Sequence, residues 1–273
     1  QGEKGAYSHL TCLEVFPDVE AKACSTFEEA FQLASDNANY KIVIPIENSL
    51  AGRVADIHYL IPKYKLQIHA EHFQKVRHNM LGIKGAKIKD IKTVRSHSQA
   101  IGQCRKLISE YNLKPIISAD TAGSAKFISE KGDKSESAIA SALAAKIYNL
   151  EILKSNVEDE SGNTTRFLIL QKDSIHPKLG DKKYITSCIF KLKSIPAALY
   201  KALGGFATNG VNLCKLESFS IKNTFDQVNF YIDIEGHIED ISLQKALEEL
   251  GFHTQKLDIL GVYEAHPFRF KNK

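Results

Sequence analysis

Apolar residues follow two rhythms in turn through the first half of the chain. Residues 41–46, KIVIPI, read as a short buried strand, and beyond the polar ENSLAG stretch Val54, Ile57, Leu60 and Ile61 recur at helical spacing. The order strand, polar turn, helix returns where IKTVRSHS runs into residues 99–112, whose Ile101, Cys104, Leu107, Ile108 and Tyr111 make one apolar face. PIISADTAGS then leads into a helix near 122–129, and an Ala-rich helix is expected over about 138–148. Strand and helix alternating over this length predict an α/β domain with largely parallel pairing.

After Leu170 the rhythm stops. QKDSIHPKLGDKK carries Pro, Gly and several charges without periodicity, which makes residues 172–183 the expected linker. Residues 184–193 then alternate as a strand, 196–208 carry a helical face of Leu199, Ala202, Leu203 and Phe206, and 212–222 return to strand character. Val228, Phe230, Ile232 and Ile234 point one way and Asn229, Tyr231, Asp233 and Glu235 the other, which predicts a strand with one wet face. A helix over 242–250 and a strand over 255–263 complete the order βαββαβ, the ferredoxin-like split motif.

Composition adds bounds to this picture. A chain of 273 residues exceeds one ordinary core, and 43% hydrophobic residues suffice to bury two. The net charge of +4 arises from 36 basic and 32 acidic residues without a block of one sign, so neither nucleic acid nor an anionic membrane is an expected partner. Cys12, Cys24, Cys104, Cys188 and Cys214 lie far apart and form no CxxC pair, which signals neither a disulfide framework nor zinc and points to a reducing cytoplasm. No apolar run approaches the roughly 18 residues of a membrane span, and no charged-then-apolar leader opens the chain. The first residue is Gln1 rather than Met, so a trimmed N-terminus is expected.

Candidate chemistry gathers at turns. Glu47-Asn48-Ser49, Ser96-His97-Ser98-Gln99 and Asp120-Thr121 each stand where a strand is expected to end and a helix to begin, a place that collects anions and, in open α/β sheets, ligands. The same residue types are also ordinary helix N-caps. A fourth segment, ESGNTTRFLIL over 160–170, needs only Gly162 and Asn163 to turn, so its two threonines and Arg166 call for a further reason. Metal chemistry is not signalled, because the histidines form no HExxH and no pair at ligand spacing, and His58, His69, His72 and His78 read as surface or packing residues. There is no GxSxG elbow and no GxGxxG after a strand. The residues by themselves therefore give a two-domain protein that binds a small anion.

GEKGAYSH, PIENSLAGRVADIH, SHSQAIGQC, ADTAGSA, AAKIYNL and above all NTTRFLIL, in this order and spacing, resemble the prephenate dehydratases over roughly residues 1–171. The βαββαβ unit after them, over 184–267, resembles the regulatory ACT domain of that family, with PAALYKAL and LESFS at its GAL and ESRP phenylalanine-binding motifs. The resemblance implies a catalytic domain of two α/β lobes, similar to type II periplasmic binding proteins, with the second lobe at about 77–152. The chain would cross between lobes near 73–80 and again near 152–165. It further implies conversion of prephenate to phenylpyruvate with loss of water and carbon dioxide, without cofactor or metal. L-phenylalanine is the implied effector and a homodimer or homotetramer the implied assembly. Aromatisation drives much of that reaction from within the substrate, so the protein must mainly orient it and help hydroxide leave.

By the same resemblance Thr165 is the expected donor to the leaving hydroxyl, and Arg166 is expected to bind a substrate carboxylate, with a structural salt bridge as its alternative. Glu47, Asn48, Ser49, Ser96, Gln99, Gln103 and Thr121 match family positions that hold the dianion and the ring. Thr164 reads as a strand-edge residue. Ala198, Leu199, Asn209, Asn212, Leu213, Glu217 and Ser218 are expected to line an effector site between paired ACT domains. Three positions depart from the family pattern: Ser98 stands for a proline, Ala197 for the glycine of GAL, and Phe219-Ser220 for Arg-Pro of ESRP, and the added methyl at Ala197 is expected to weaken phenylalanine binding. Arogenate dehydratase and a non-catalytic amino-acid sensor are the alternative functions.

Overall fold

The computed structural model describes residues 1–54, 57–173, 176–220 and 228–270. Its elements run α1 (Tyr7–Val15), α2 (Phe27–Asp36), β1 (Ile42–Asn48), β2 (Gly52–Arg53), α3 (Ile57–Tyr64), β3 (Gln67–Lys75) and β4 (Asn79–Gly82). They continue with β5 (Thr93–His97), α4 (Ser98–Gly102), α5 (Arg105–Glu110), β6 (Lys114–Ser118), α6 (Thr121–Lys131), β7 (Glu136–Ala140), α7 (Ala142–Ile147), β8 (Glu151–Lys154) and β9 (Thr164–Gln171). The last part holds β10 (Tyr184–Leu192), α8 (Ala198–Thr208), β11 (Leu213–Ser220), β12 (Val228–Glu235), α9 (Ile241–His253) and β13 (Thr254–Glu264). The architecture is mixed α/β, with sheets ordered β2-β1-β9-β3, β6-β5-β7-β4-β8 and β11-β12-β10-β13. Two compact units emerge, one of residues 1–30, 43–54 and 72–167, the other of 31–42, 55–71 and 168–273.

In the first unit the chain leaves the first sheet after β3, builds the second from β4 to β8, and re-enters the first at β9. The expected parallel pairing holds for β5 with β6 and with β7, while β4 runs antiparallel to β7 and β8. Both faces of this sheet are covered, one by Ile101, Cys104 and Leu107 around Val94 and Ile139, the other by Ala122, Ala125, Ile128 and Ala144 around Leu81 and Ala138. Cover on both faces suits near-continuous apolar strands.

Three local expectations are corrected here. The Ala-rich 138–148 stretch begins as strand, with Ser137, Ala138, Ile139 and Ala140 fully buried in the sheet and covered on both faces, and only α7 after it is helical. ENSLAG makes a hairpin rather than a helix start: β2 returns along β1 with Glu47 opposite Arg53, and Gly52, at φ +77°, takes the left-handed backbone that glycine adopts without penalty. The helix read over 99–112 is broken at Gln103 and Cys104. Asp159, distant in sequence, accepts from the backbone N–H groups of Arg105 (2.9 Å) and Lys106 (3.0 Å) and so caps a new helix start that local periodicity cannot show.

The C-terminal segment has the ferredoxin-like order, with β10 at the centre between β12 and β13, both antiparallel to it. Phe206, Ala202, Leu243, Ala246 and Leu250 of α8 and α9 pack on Cys188, Phe190, Ile232 and Ile234. Strand character beyond Ser220 falls outside the described residues. The opposite face of β12, expected to be wet, is buried: Tyr231 and Asp233 have no exposure. Tyr231 donates to Asp233 (2.7 Å), Ser187 does so at 2.5 Å, and Tyr263 lies 2.8 Å from Ser187. Alternating polarity was real, but these polar groups satisfy one another instead of meeting solvent. Residues from before the linker lie in this unit as well. The ring of His58 on α3 meets Tyr231 edge-on, and a methyl on Gly261 would overlap the carbonyl of Ile68 on β3.

Candidate active site

β1 and β9 bring two consecutive residue pairs together. Asn48 Nδ2 donates to Thr165 Oγ1 over 2.9 Å, and Arg166 pairs with Glu47 over 3.2 Å. Successive side chains on a strand project to opposite faces, so Thr165 with Asn48 and Arg166 with Glu47 lie on different sides of the sheet. Arg166 is among the largest fully buried side chains, at 2% exposure. The pairing with Glu47 is the contact that the salt-bridge alternative for Arg166 would use.

The end of β9 is tied down through its backbone. Ser49 and Thr164 exchange hydrogen bonds, Ser49 N–H to the Thr164 carbonyl (2.9 Å) and Thr164 N–H to Ser49 Oγ (3.0 Å). The Thr164 hydroxyl turns back to Gly162 O at 3.0 Å, so this residue closes the turn as a strand edge.

The orientation of the Asn48 amide follows from unambiguous donors. Its Oδ1 accepts from the backbone N–H groups of Leu50 (3.0 Å) and Ala51 (2.9 Å), so Nδ2 must face Asn163 and Thr165. Thr165 Oγ1 therefore accepts from Asn48, and its own proton points away, available to a ligand. Thr165 as a residue is only 9% exposed, and in such surroundings a hydrogen bond to developing charge is stronger than in water.

The remaining expected residues fall in two groups. Gln103, at the break between α4 and α5, joins the Asn48 cluster by accepting from Asn163 Nδ2 at 2.8 Å. Ser96, Gln99 and Thr121 lie at strand-to-helix turns of the second sheet. Ser96 is fully buried and donates to Ile139 O (2.7 Å), so it can only accept from an incoming group. Gln99 is exposed, and His97 rather than Ser96 caps α4, its Nδ1 accepting from Gln99 N–H. Asp120 caps α6 by accepting from Gly123 N–H at 2.6 Å, so one of that helix's first N–H groups is already satisfied beside Thr121.

Two residues of this cluster escaped the sequence. Asn163 read as a turn residue and His78 as surface or packing, yet they are 2% and 3% exposed and His78 Nε2 lies 2.9 Å from Gln103 Oε1. Burial pushes the His78 imidazole below its ordinary value, opposed by the Gln103 hydrogen bond and the Glu158 carboxylate. The one sequence signal was the placement of His78 in the expected crossing at 73–80.

Comparison with known proteins accounts for this arrangement. The family model described as prephenate dehydratase matches residues 1–175. The chain belongs to the prephenate dehydratase family. A relative from Komagataeibacter europaeus, named bifunctional N-acyl-homoserine lactone acylase/prephenate dehydratase, is 44% identical over 99% of this chain and 96% of its own. Arogenate dehydratase/prephenate dehydratase 1 of Arabidopsis thaliana, chloroplastic, is 38% identical over 96% of this chain and 70% of its own. The crystal structure of prephenate dehydratase from Arthrobacter aurescens, solved in complex with L-Phe, superposes with a TM-score of 0.89 at 26% identity, covering 97% of this chain and 88% of that one. The protein is thus a lyase-type dehydratase, with the two-lobed α/β domain and C-terminal ferredoxin-like domain of its prephenate dehydratase relatives. Among the described residues no helix is long and apolar enough to cross a membrane.

The seven positions expected to line an effector site between paired domains lie in the C-terminal segment. Leu213 and Ser218 stand opposite Ile234 and Phe230, whereas Glu217 is opposite Tyr231, on the far face of the sheet, and pairs with Lys215 at 3.0 Å. Ala198 and Leu199 open α8, Asn209 closes it and donates to Glu249 Oε1 (2.9 Å), and the Asn212 carbonyl accepts from Glu235 N–H.

Proposed function

We infer that the protein dehydrates and decarboxylates prephenate to phenylpyruvate, with Thr165 as the hydrogen-bond donor to the departing ring hydroxyl. The observation that carries this is the Asn48–Thr165 bond, which orients the threonine proton outward and places an N–H where negative charge would build on Oγ1. Loss of the ring carboxylate as carbon dioxide supplies the electrons that aromatise the ring, so no further base is needed. Gln99, Gln103, Thr121 and the acceptor face of Ser96 are proposed to hold the substrate. Arg166 is proposed to serve through Glu47, meeting a substrate carboxylate only in competition with that partner. The test is phenylpyruvate formation from prephenate, with arogenate compared by kcat/KM, since several relatives are named for that substrate.

A second reading, hydrolysis of an N-acyl-homoserine lactone amide, is favoured by the name of the Komagataeibacter relative. Neither Ser96, whose proton is committed to Ile139, nor Cys104, whose thiol burial pushes up to about 12, is primed as a nucleophile. Incubation with an acyl-homoserine lactone and assay of the freed homoserine lactone amine decides it. A pure sensor would need no outward-facing donor at Thr165.

Phenylalanine regulation is proposed through Ala198, Leu199, Asn209, Asn212, Leu213, Glu217 and Ser218. A relative solved with L-Phe supports it, as do the exposed Tyr200, Ile241 and Phe252, which suit pairing with a second copy in a homodimer or homotetramer. Domain limits at 171 and 184 and a cytoplasmic location belong to the same proposal; Cys12, Cys24, Cys104 and Cys188, which form no disulfide, suit a reducing compartment.

A further inference from the structure

A single run of hydrogen bonds links the Thr165 hydroxyl to a buried histidine that the reaction does not touch. Asn48 Nδ2 donates to Asn163 Oδ1 (2.7 Å), Asn163 Nδ2 donates to Gln103 Oε1 (2.8 Å), and Gln103 Oε1 also faces His78 Nε2 at 2.9 Å. The backbone amides of Leu50 and Ala51 fix Asn48 at one end, so every amide beyond it has one allowed orientation. An oxygen of Gln103 that already accepts from Asn163 can only accept from the ring as well. His78 Nε2 must therefore carry a proton, while Nδ1 lies 3.1 Å from the Tyr7 hydroxyl, whose single proton is shared with the Arg77 carbonyl at 2.7 Å. The last fixed points hold the histidine itself: its backbone N–H donates to Glu158 (3.0 Å) and its carbonyl accepts from Val157.

We propose that His78 and Asn163 are positioning residues of the dehydratase reaction, which brace the far end of the amide run and thereby hold Asn48 Nδ2 against Thr165 Oγ1, with the threonine proton turned to the substrate. Without them Asn48 keeps the clamp on its Oδ1 but loses the Asn163 contact that steadies Nδ2 beside Thr165. Because neither residue touches substrate, their contribution is to the transition state rather than to binding. The inference rests on the dehydratase reading above.

The test combines a spectroscopic and a kinetic arm on the full chain. In ¹⁵N-histidine spectra at neutral pH, with His78 assigned by its disappearance in His78→Gln, the wild-type ring is expected to be protonated at Nε2. His78→Leu and Asn163→Ala are expected to lower kcat for prephenate by about tenfold or more while KM stays within about threefold. His78→Gln, whose amide can still donate to Gln103, is expected to keep kcat within about threefold of wild type. Melting temperatures of all three variants are read alongside. A wild-type ring bare at Nε2, an undiminished kcat in His78→Leu, or His78→Gln as slow as His78→Leu overturns the proposal. A variant that fails to fold leaves the ring spectrum of the wild type to decide. A wild type inert toward prephenate overturns the functional reading instead, and the same spectrum still reports on the run.

Discussion

Asn48 Nδ2 sits 2.9 Å from Thr165 Oγ1 while the other end of that amide is clamped by the N–H groups of Leu50 and Ala51. An aspartate keeps the clamp but has no proton to give. Its second oxygen would take the Thr165 proton and lie against Asn163 Oδ1. Asn48→Asp is therefore expected to lower kcat for prephenate by about 100-fold or more. Steady-state kinetics on the purified variant check this, and a loss of only a few fold contradicts the assigned donor direction.

How much of this was legible follows from where the information lies. Thr165 and Asn48 were found because NTTRFLIL and PIENSLAG are contiguous, and the strands that carry them are short apolar runs with clear ends. Gln103 matched a family position, but its setting at a helix break depends on Asp159, which is far away in sequence. Asn163 and His78 look like a turn residue and a packing histidine until the fold closes around them. The wet face expected for β12 failed for the same reason: Tyr231 and Asp233 are polar, and only the tertiary structure supplies Ser187 and Tyr263 as buried partners.

Glu71 and Arg269 form a deeply placed ion pair outside the active site. The Glu71 side chain has no exposure and receives Arg269 Nε at 2.6 Å and Nη2 at 2.7 Å. Removing one member leaves a charge in an apolar setting, so Arg269→Ala is expected to lose about 3–5 kcal/mol of stability. Arg269 Nη2 also lies 3.8 Å from the buried Asp233 carboxylate, so the double substitution Glu71→Leu with Arg269→Met is expected to recover only part of that loss. Urea unfolding of the three proteins measures it; equal destabilisation of single and double variants would count against a buried pair.

Ala197 precedes α8 at φ +59°, ψ +27°, a left-handed conformation that penalises a Cβ. The glycine that the family pattern places there relieves the strain at the expense of some chain entropy. Ala197→Gly is expected to stabilise the protein by about 0.5–1 kcal/mol. It is also expected to strengthen L-phenylalanine binding, measured by calorimetry. A lower melting temperature in the variant would contradict the first expectation, and unchanged affinity the second.

His78 is held neutral by burial, facing Tyr7 and Glu158, with its proton affinity below the ordinary value of 6.5. As pH falls, the unfolded chain binds that proton before the folded one does. Stability contributed by this histidine is therefore complete above about 6.5 and is lost as pH drops into the window below it. His78→Gln is expected to flatten the fall in melting temperature between about pH 7 and 5 relative to wild type. An identical pH dependence in the two proteins would show that His78 is not held neutral in the folded state.

The central claim is that the Thr165 hydroxyl assists loss of the ring hydroxyl. Its most direct measurement follows phenylpyruvate released from prephenate by wild type and by Thr165→Ala, with folding of the variant checked by its melting temperature. The expected result is turnover by the wild type and a kcat lowered by about 100- to 10,000-fold in the folded variant, the range for loss of a positioned proton donor. A folded Thr165→Ala that turns prephenate over at the wild-type rate would contradict it.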